Sequence, residues 1–354
     1  MPQSPNIETQ LMPRHYPHPT LGKAIQNYTA AAIAVLLGAF ASPSLAAFRA
    51  ILVGVSQFDH LPILPLQGPV NDVDAMVSAL RAFGVPPPDI FVLTDKSPSN
   101  HHPSRANILR VLREQARTSR SGDWVIVYFS GHGAQIPQRQ PVAKGRWVEP
   151  DGLDEVFLTR DTKRWDRKKR TVEGALLDDE IGDALAEFTA KGVHVWAIFD
   201  SCHAGDMMRS APRPSGDVIW RGVDAAAIGV PMNLLARMVS APSKRVNLTN
   251  RVSTPARGHR KLSAGTGHAI AFYATRPEES APEEWYESSE FDTPNIGGVA
   301  QRRRYGVFTW ELATALAKKP QTFADLSQTI AQQYQSRPFP TPVFEGNLSL
   351  GLLR

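Results

Sequence analysis

The chain has 354 residues, 42% hydrophobic and 21% charged, with a formal net charge of +5. That is ordinary globular composition, and the length suits one large domain with embellishments or two small ones. A single cysteine, Cys202, excludes any intramolecular disulfide, and CxxC or Cys/His zinc spacings are absent.

In chain order, residues 28–42 (YTAAAIAVLLGAFAS) are apolar, with Arg14 and Lys23 upstream and the small residues Ser44 and Ala46 after them. The run is short for a membrane span, and it reads as a secretory signal peptide cut after Ala46, or as an uncleaved N-terminal anchor. Either reading places the domain outside the cytoplasm. Without residues 1–46 the net charge is +4, since Arg14, Lys23 and Glu8 go with them. Basic residues concentrate in 160–170 and 207–268, where aromatics are sparse and no reader motif occurs, so nucleic acid is not the expected partner.

Residues 48–56 (FRAILVGVS) predict a buried strand, and the spacing of Val73, Met76, Val77, Leu80 and Phe83 predicts a helix over 71–84. A strand follows at 90–94, a helix from Ser104 to Thr118, strands at 123–130 and 155–159, a helix over 178–191 and a strand at 193–199. Residues 207–268 are rich in Pro, Ser, Gly and Arg and predict a long surface insertion. Order resumes with a strand at 269–275, helices at 307–318 and 322–334, and a last strand near 341–350. This alternation predicts an α/β fold, a mainly parallel sheet with helices on both faces.

Two apolar runs end alike. VIVYFSGHGAQ (125–135) closes in Gly-His-Gly, and VWAIFDSCHAG (195–205) closes in Asp-Ser-Cys-His. Continuous apolar runs suit central strands buried on both sides, and ligands of such sheets bind beyond the strands' carboxyl ends. His132 and Cys202 would meet at one edge if their strands are neighbours. A thiolate is a good nucleophile and an adjacent imidazole can take its proton. The Gly133 and Cys202 amides are candidate oxyanion donors. Acyl transfer to sulfur followed by hydrolysis is the reaction these parts support.

YFSGHGAQ and FDSCHAG resemble the two catalytic blocks of the caspase-like cysteine peptidases, specifically the metacaspase and bacterial orthocaspase branch of family C14. GPVNDVDAM (68–76), DEVFLTRD (154–161), LLDDEI (176–181), AFYATRPEESAPEEW (271–285) and GVFTWELATAL (306–316) resemble further segments, so the likeness runs from about 48 to 350. The resemblance implies a caspase-haemoglobinase fold, with a large-subunit region over 47–206 and a small-subunit-like region over 269–354. It implies a cysteine endopeptidase with Cys202 as nucleophile and His132 as general base or acid. It also implies cleavage after Arg or Lys, through acidic pocket residues matching Asp72 and Asp200. Helix capping is the other reading of Asp72, and orientation of the Cys202 loop the other reading of Asp200. The surroundings of Cys202 lack the Gln-Ala-Cys of animal caspases, which argues against cleavage after aspartate.

No cofactor is required for this chemistry. Many metacaspases bind calcium, and the matching residues are Asp154, Asp178 and Asp179, which also suit an acidic helix start. Expected partners are polypeptides, with the enzyme a monomer. Self-cleavage is expected within 237–262, where Arg237, Lys244, Arg245, Arg251, Arg257, Arg260 and Lys261 lie. Two other functions remain open: a catalytically silent caspase-like scaffold, and a non-peptidase thiol acyl-transfer enzyme.

Overall fold

The structure, a computed structural model, describes residues 46–139, 142, 148–149, 152–202, 218–239, 266–276, 279–287, 302–337 and 340–353. The expected N-terminal signal or anchor segment and nearly all of the expected self-cleavage region lie outside those residues. Among the described residues no helix is long and apolar enough to cross a membrane.

The elements are β1 (Phe48–Gly54), α1 (Gly68–Ala82), β2 (Ile90–Thr94), α2 (Arg105–Thr118), β3 (Trp124–Ser130), β4 (Gly133–Pro137) and β5 (Leu153–Phe157). Then come β6 (Trp165–Asp166), β7 (Thr171–Val172), β8 (Leu176–Leu177), α3 (Asp178–Thr189), β9 (His194–Asp200), β10 (Ile219–Trp220) and α4 (Met232–Val239). The chain closes with β11 (Ala269–Tyr273), β12 (Pro282–Glu287), β13 (Arg302–Gly306), α5 (Val307–Ala317), α6 (Phe323–Gln333) and β14 (Val343–Glu345).

Six strands form the central sheet in the order β14-β11-β9-β3-β1-β2. All neighbours are parallel except β14, which runs antiparallel to β11. Alternate side chains point to opposite faces of a strand, and both faces here are covered. Leu52, Ile126, Trp196 and Phe272 pack with α1, α5 and α6, whereas Val53, Val127, Ala197 and Phe199 pack with α2 and α3. β3 is buried at every position, as its continuous apolar run requires. This is the α/β caspase-like architecture expected from the sequence.

Helix ends account for the small boundary differences. α1 begins at Gly68 rather than near 71, with Pro69 in its first turn. Proline is well suited there because its missing N–H would have no helical partner. The Glu283 carboxylate, from β12, accepts the Gln67 and Gly68 amides at 3.1 and 3.0 Å. Asp72 therefore lies inside the helix, which rules out its reading as an N-cap.

The expectation of a surface insertion over 207–268 needs correction for its described part. Arg221, Val223, Ala225, Ile228 and Val230 are buried, the last four in an apolar cluster with Ala134, Ile136, Val156 and Trp165. β10 pairs antiparallel with β12, and β12 with β13, in a three-stranded sheet. The stretch escaped notice because two-residue strands carry no measurable periodicity.

Candidate active site

The register of β3 against β9 sets Ser130 opposite Asp200. His132 and Cys202 each follow two residues later, so one edge of the sheet carries both. Gly133 lies directly against the cysteine loop: a Cβ there would fall 1.7 Å from the Cys202 carbonyl oxygen. Only glycine permits that approach. Gly133→Ala must push the cysteine loop away, and if the site hydrolyses peptides as the resemblance implies, the variant is expected to lose on the order of a hundredfold in kcat/KM, the scale of a misplaced oxyanion donor. Parent-like turnover of that variant would remove Gly133 from the site.

His132 is buried, and both of its ring nitrogens meet backbone carbonyls. Nε2 is 3.0 Å from the Leu64 oxygen and Nδ1 is 2.9 Å from the Arg221 oxygen. Burial lowers its pKa, partly offset by the two carbonyls. A neutral imidazole has one N–H and donates to only one of these carbonyls; the tautomer that donates from Nε2 to Leu64 is the one that leaves Nδ1 basic once the Arg221 oxygen no longer faces it. The 58–67 loop thus fixes the ring through a main-chain oxygen, a partner that leaves no signature in the side-chain sequence. The Phe58 ring, 5.5 Å away between centroids, flanks the imidazole.

Cys202 is fully buried. Its Sγ accepts from the Ala281 N–H and from the Ser280 hydroxyl at 3.3 Å, and lies 3.7 Å from the Ala281 oxygen. Burial pushes the thiol up to about 11, outweighing those donors and the nearby Arg221 charge. The thiol of this conformation is protonated and turned toward residues 280–281, while His132 engages the Arg221 carbonyl.

Asp72 and Asp200 are brought together, fully buried, around the Arg221 guanidinium. Nη2 sits 2.6 Å from Asp72 Oδ2 and 3.7 Å from Glu283 Oε2. Nη1 lies 2.9 Å from Asp200 Oδ1, as an ion-pair contact, and donates to the Asp200 main-chain oxygen at 2.9 Å. Asp72 also accepts from Ser130 Oγ at 2.7 Å and the Gly306 N–H at 2.8 Å. Asp200 Oδ2 accepts the Thr309 N–H and hydroxyl at 3.0 and 2.6 Å, on the first turn of α5, where the helix dipole favours a negative charge. Burial raises the Asp72 pKa and Arg221 pulls it down. Cβ atoms at Gly68 or Gly306 would intrude on the guanidinium, so both glycines keep this pocket open to a planar cation. The sequence pointed to Asp72 and Asp200. It gave no signal for Glu283, Thr309 or Arg221, whose roles depend on β10, β12 and α5 converging.

A second carboxylate group lies between β5 and α3. Ligand oxygens of Glu149, Glu155 and Asp178 fall within 4.8 Å of one another. Asp178 Oδ2 is buried without a hydrogen-bond partner. Burial first, then the charges of Asp179, Glu149 and Asp154, pushes the Asp178 carboxyl up to about 8. Of the residues expected there, Asp178 joins this trio. Asp154 accepts from Gln138 Nε2 at 2.8 Å, and Asp179 acts on Asp178 through its charge. Glu155 follows Asp154 on a strand and so faces the other way, which explains why a motif match that named one carboxylate passed over its neighbour. Crowded, desolvated carboxylates with an orphaned oxygen fit a hard divalent cation.

A buried His and Cys on adjacent parallel strand ends, beside a two-aspartate pocket, define a caspase-like site. Comparison with known proteins agrees. The metacaspase, peptidase C14 domain family matches residues 48–211, so the chain is similar over that stretch to the caspase-like C14 cysteine peptidases. Metacaspase-1 of Coccidioides immitis is 27% identical over 310 residues, covering 82% of this chain and 60% of that protein. Metacaspase-1 of Emericella nidulans is 27% identical over 296 residues, 82% of this chain and 67% of that protein. Metacaspase-1A of Aspergillus terreus is 28% identical over 301 residues, 82% and 69%. The chain thus spans 60–69% of these relatives' own length. The crystal structure of a Geobacter sulfurreducens protein superimposes with a TM-score of 0.54 at 19% identity, covering 85% of this chain and 93% of that one; it speaks to the fold alone.

Proposed function

We propose that this protein is a cysteine endopeptidase that hydrolyses peptide bonds after Arg or Lys. The observation that supports it best is the pocket: two buried aspartates and Glu283 around a guanidinium, beside the Gly133 amide. A planar cation matched by several carboxylates is discriminated strongly from an acidic or neutral side chain.

In the reaction, the substrate's basic side chain occupies the Asp72–Asp200 pocket. Its carbonyl oxygen takes the Gly133 N–H, which strengthens as negative charge develops there. His132, held at Nε2 by Leu64, takes the Cys202 proton at Nδ1, and the thiolate attacks the carbonyl carbon. The C–N bond breaks, and the departing amine takes the proton from Nδ1. Water, deprotonated by the same nitrogen, then hydrolyses the thioester and restores the thiol. Sγ must first leave its Ala281 and Ser280 partners, and that reorientation is the step between the conformation described above and catalysis.

The burial of Cys202 favours one other reading, a silent scaffold. Fluorogenic peptides ending in Arg or Asp separate the two: hydrolysis of neither would support the scaffold. The endopeptidase reading carries with it polypeptide substrates, a monomeric enzyme and an extracytoplasmic location.

We further propose calcium as an activator at the acidic group, held by Glu149, Glu155 and Asp178 with Asp154 and Asp179 adding charge. Bound there, the ion would offset carboxylate repulsion and tie the 138–155 region to α3. Millimolar calcium is expected to raise both activity and thermal midpoint, and Asp178→Asn to abolish both responses. Full activity in chelator, with no thermal shift on adding calcium, would reject the site.

A further inference from the structure

We propose that Asp95 and Arg160 are positioning residues for catalysis: together they anchor the 56–66 loop, so that its Leu64 carbonyl stays on His132 Nε2 and the basic nitrogen of the ring is Nδ1. This rests on the peptidase reading of the His132–Cys202 site and assigns that site an outer support.

The two side chains come from strand ends away from the reacting atoms, Asp95 just after β2 and Arg160 shortly after β5. The Asp95 side chain is only 6% exposed. Its Oδ2 accepts the Ser56 N–H at 2.6 Å, and the Ser56 oxygen accepts the Leu66 N–H at 3.0 Å. One carboxylate therefore holds both ends of the loop. Arg160 grips the loop further along. Its main-chain oxygen accepts the Asp59 N–H at 2.9 Å, and its Nε lies 3.2 Å from each Asp59 carboxylate oxygen. Nη1 of the same guanidinium is 3.7 Å from Asp95 Oδ1, which joins the two anchors. Arg160 is itself fixed, because its N–H donates to the Pro103 oxygen at 3.1 Å, just ahead of α2.

Between these anchors the loop delivers the Leu64 oxygen to Nε2 at 3.0 Å. Leu61 and Leu66 are buried beneath the loop, but the Leu64 side chain is 76% exposed and adds no packing that would fix its carbonyl. The oxygen's place is inherited from the anchored parts of the loop. That place decides the tautomer. A neutral imidazole has one N–H, and the Arg221 oxygen competes for it at Nδ1 from 2.9 Å. A Leu64 oxygen that drifts away hands the proton to Nδ1 and leaves the free lone pair on Nε2, toward the loop.

An aspartate after a strand commonly serves its own turn. Here Ser97 closes that turn: its N–H donates to the Thr94 oxygen and its Oγ accepts the Thr94 N–H, both at 3.1 Å. The Asp95 carboxylate instead reaches across to Ser56 and Arg160. Burial raises its pKa, and the Ser56 N–H and the Arg160 charge oppose that rise. Asp59 is 45% exposed, and ion pairs of that kind add little to stability. Holding the loop in register is the role left for the Arg160 contact.

The test reads the tautomer directly. Ring-nitrogen chemical shifts of protein labelled with nitrogen-15 histidine would be recorded for the parent, Asp95→Ala and Arg160→Ala, with His132→Ala to assign the signal, alongside Arg-peptide kinetics. The anchor predicts His132 protonated at Nε2 in the parent and shifted toward the Nδ1 tautomer in both variants. It predicts kcat lower on the order of tenfold or more in Asp95→Ala, and lower by less in Arg160→Ala. KM should stay within about twofold, because neither change touches the Asp72–Asp200 pocket. If Asp95→Ala fails to fold by circular dichroism, Arg160→Ala carries the test, since its side chain is partly exposed. An unchanged tautomer in the folded variants, or a parent already protonated at Nδ1, would overturn the proposal. A tautomer shift with no Arg-peptide hydrolysis by the parent would keep the anchor and sink the peptidase reading instead.

Discussion

Cys202→Ala is expected to bring peptide hydrolysis to background, and His132→Ala to lower kcat on the order of a thousandfold or more, with both proteins folded. The thiol is the sole nucleophile of the proposed mechanism, so its loss removes the covalent path entirely. The cost to the fold is modest. Sγ is a small buried atom accepting one main-chain and one hydroxyl hydrogen bond, and losing such bonds costs about 1–3 kcal/mol. His132→Ala frees the Leu64 and Arg221 carbonyls from the ring, so a shifted 58–67 loop is expected as well. Because the Cys202 thiol lies near 11, labelling of the parent should be slow at pH 7 and rise with pH as thiolate forms. Alkylation of Cys202 that leaves activity intact would contradict its role.

Asp72→Ala and Asp200→Ala should each have a second large effect, on stability as well as on specificity. Removing one carboxylate leaves the fully buried Arg221 guanidinium undercompensated, a loss of about 3–5 kcal/mol by analogy with other broken buried ion pairs. Asp200→Ala also strands the Thr309 N–H and hydroxyl. In protein that remains folded, KM for Arg peptides should rise on the order of tenfold or more. Urea midpoints of Asp200→Ala, Arg221→Gln and their combination separate these effects. The combination should be less unstable than the two losses added together, because it removes both partners of one interaction. Additive losses, with Arg peptides processed as by the parent, would show that the pocket has been placed wrongly.

The sequence carried the central sheet and its helices because those elements are long and periodic. β3 and β9 could be read from unbroken apolar runs, and α2 from Ile108, Leu109 and Leu112 with Ser104 capping its start at 3.4 Å. The sheet edge holding His132 and Cys202 followed from two strand ends. What could not be read was assembled from distant, short pieces. Arg221 looked like one of many basic residues in a loop-like stretch, and its burial depends on Asp72, Asp200 and Glu283, contributed by α1, β9 and β12. The Leu64 carbonyl has no sequence signal at all, since any residue supplies a main-chain oxygen. Glu149 and Glu155 were passed over because the motif match named Asp154, the neighbour that faces the other side of its strand.

The most direct test of the whole account is kcat/KM for matched peptides ending in Arg, Lys or Asp, measured on the parent with Cys202→Ala as the blank. The account predicts hydrolysis after Arg and Lys, at least a hundredfold weaker hydrolysis after Asp, and none by Cys202→Ala, as expected for a cation held by paired buried carboxylates. Equal cleavage after Asp, or no cleavage after Arg by folded parent protein, would contradict it.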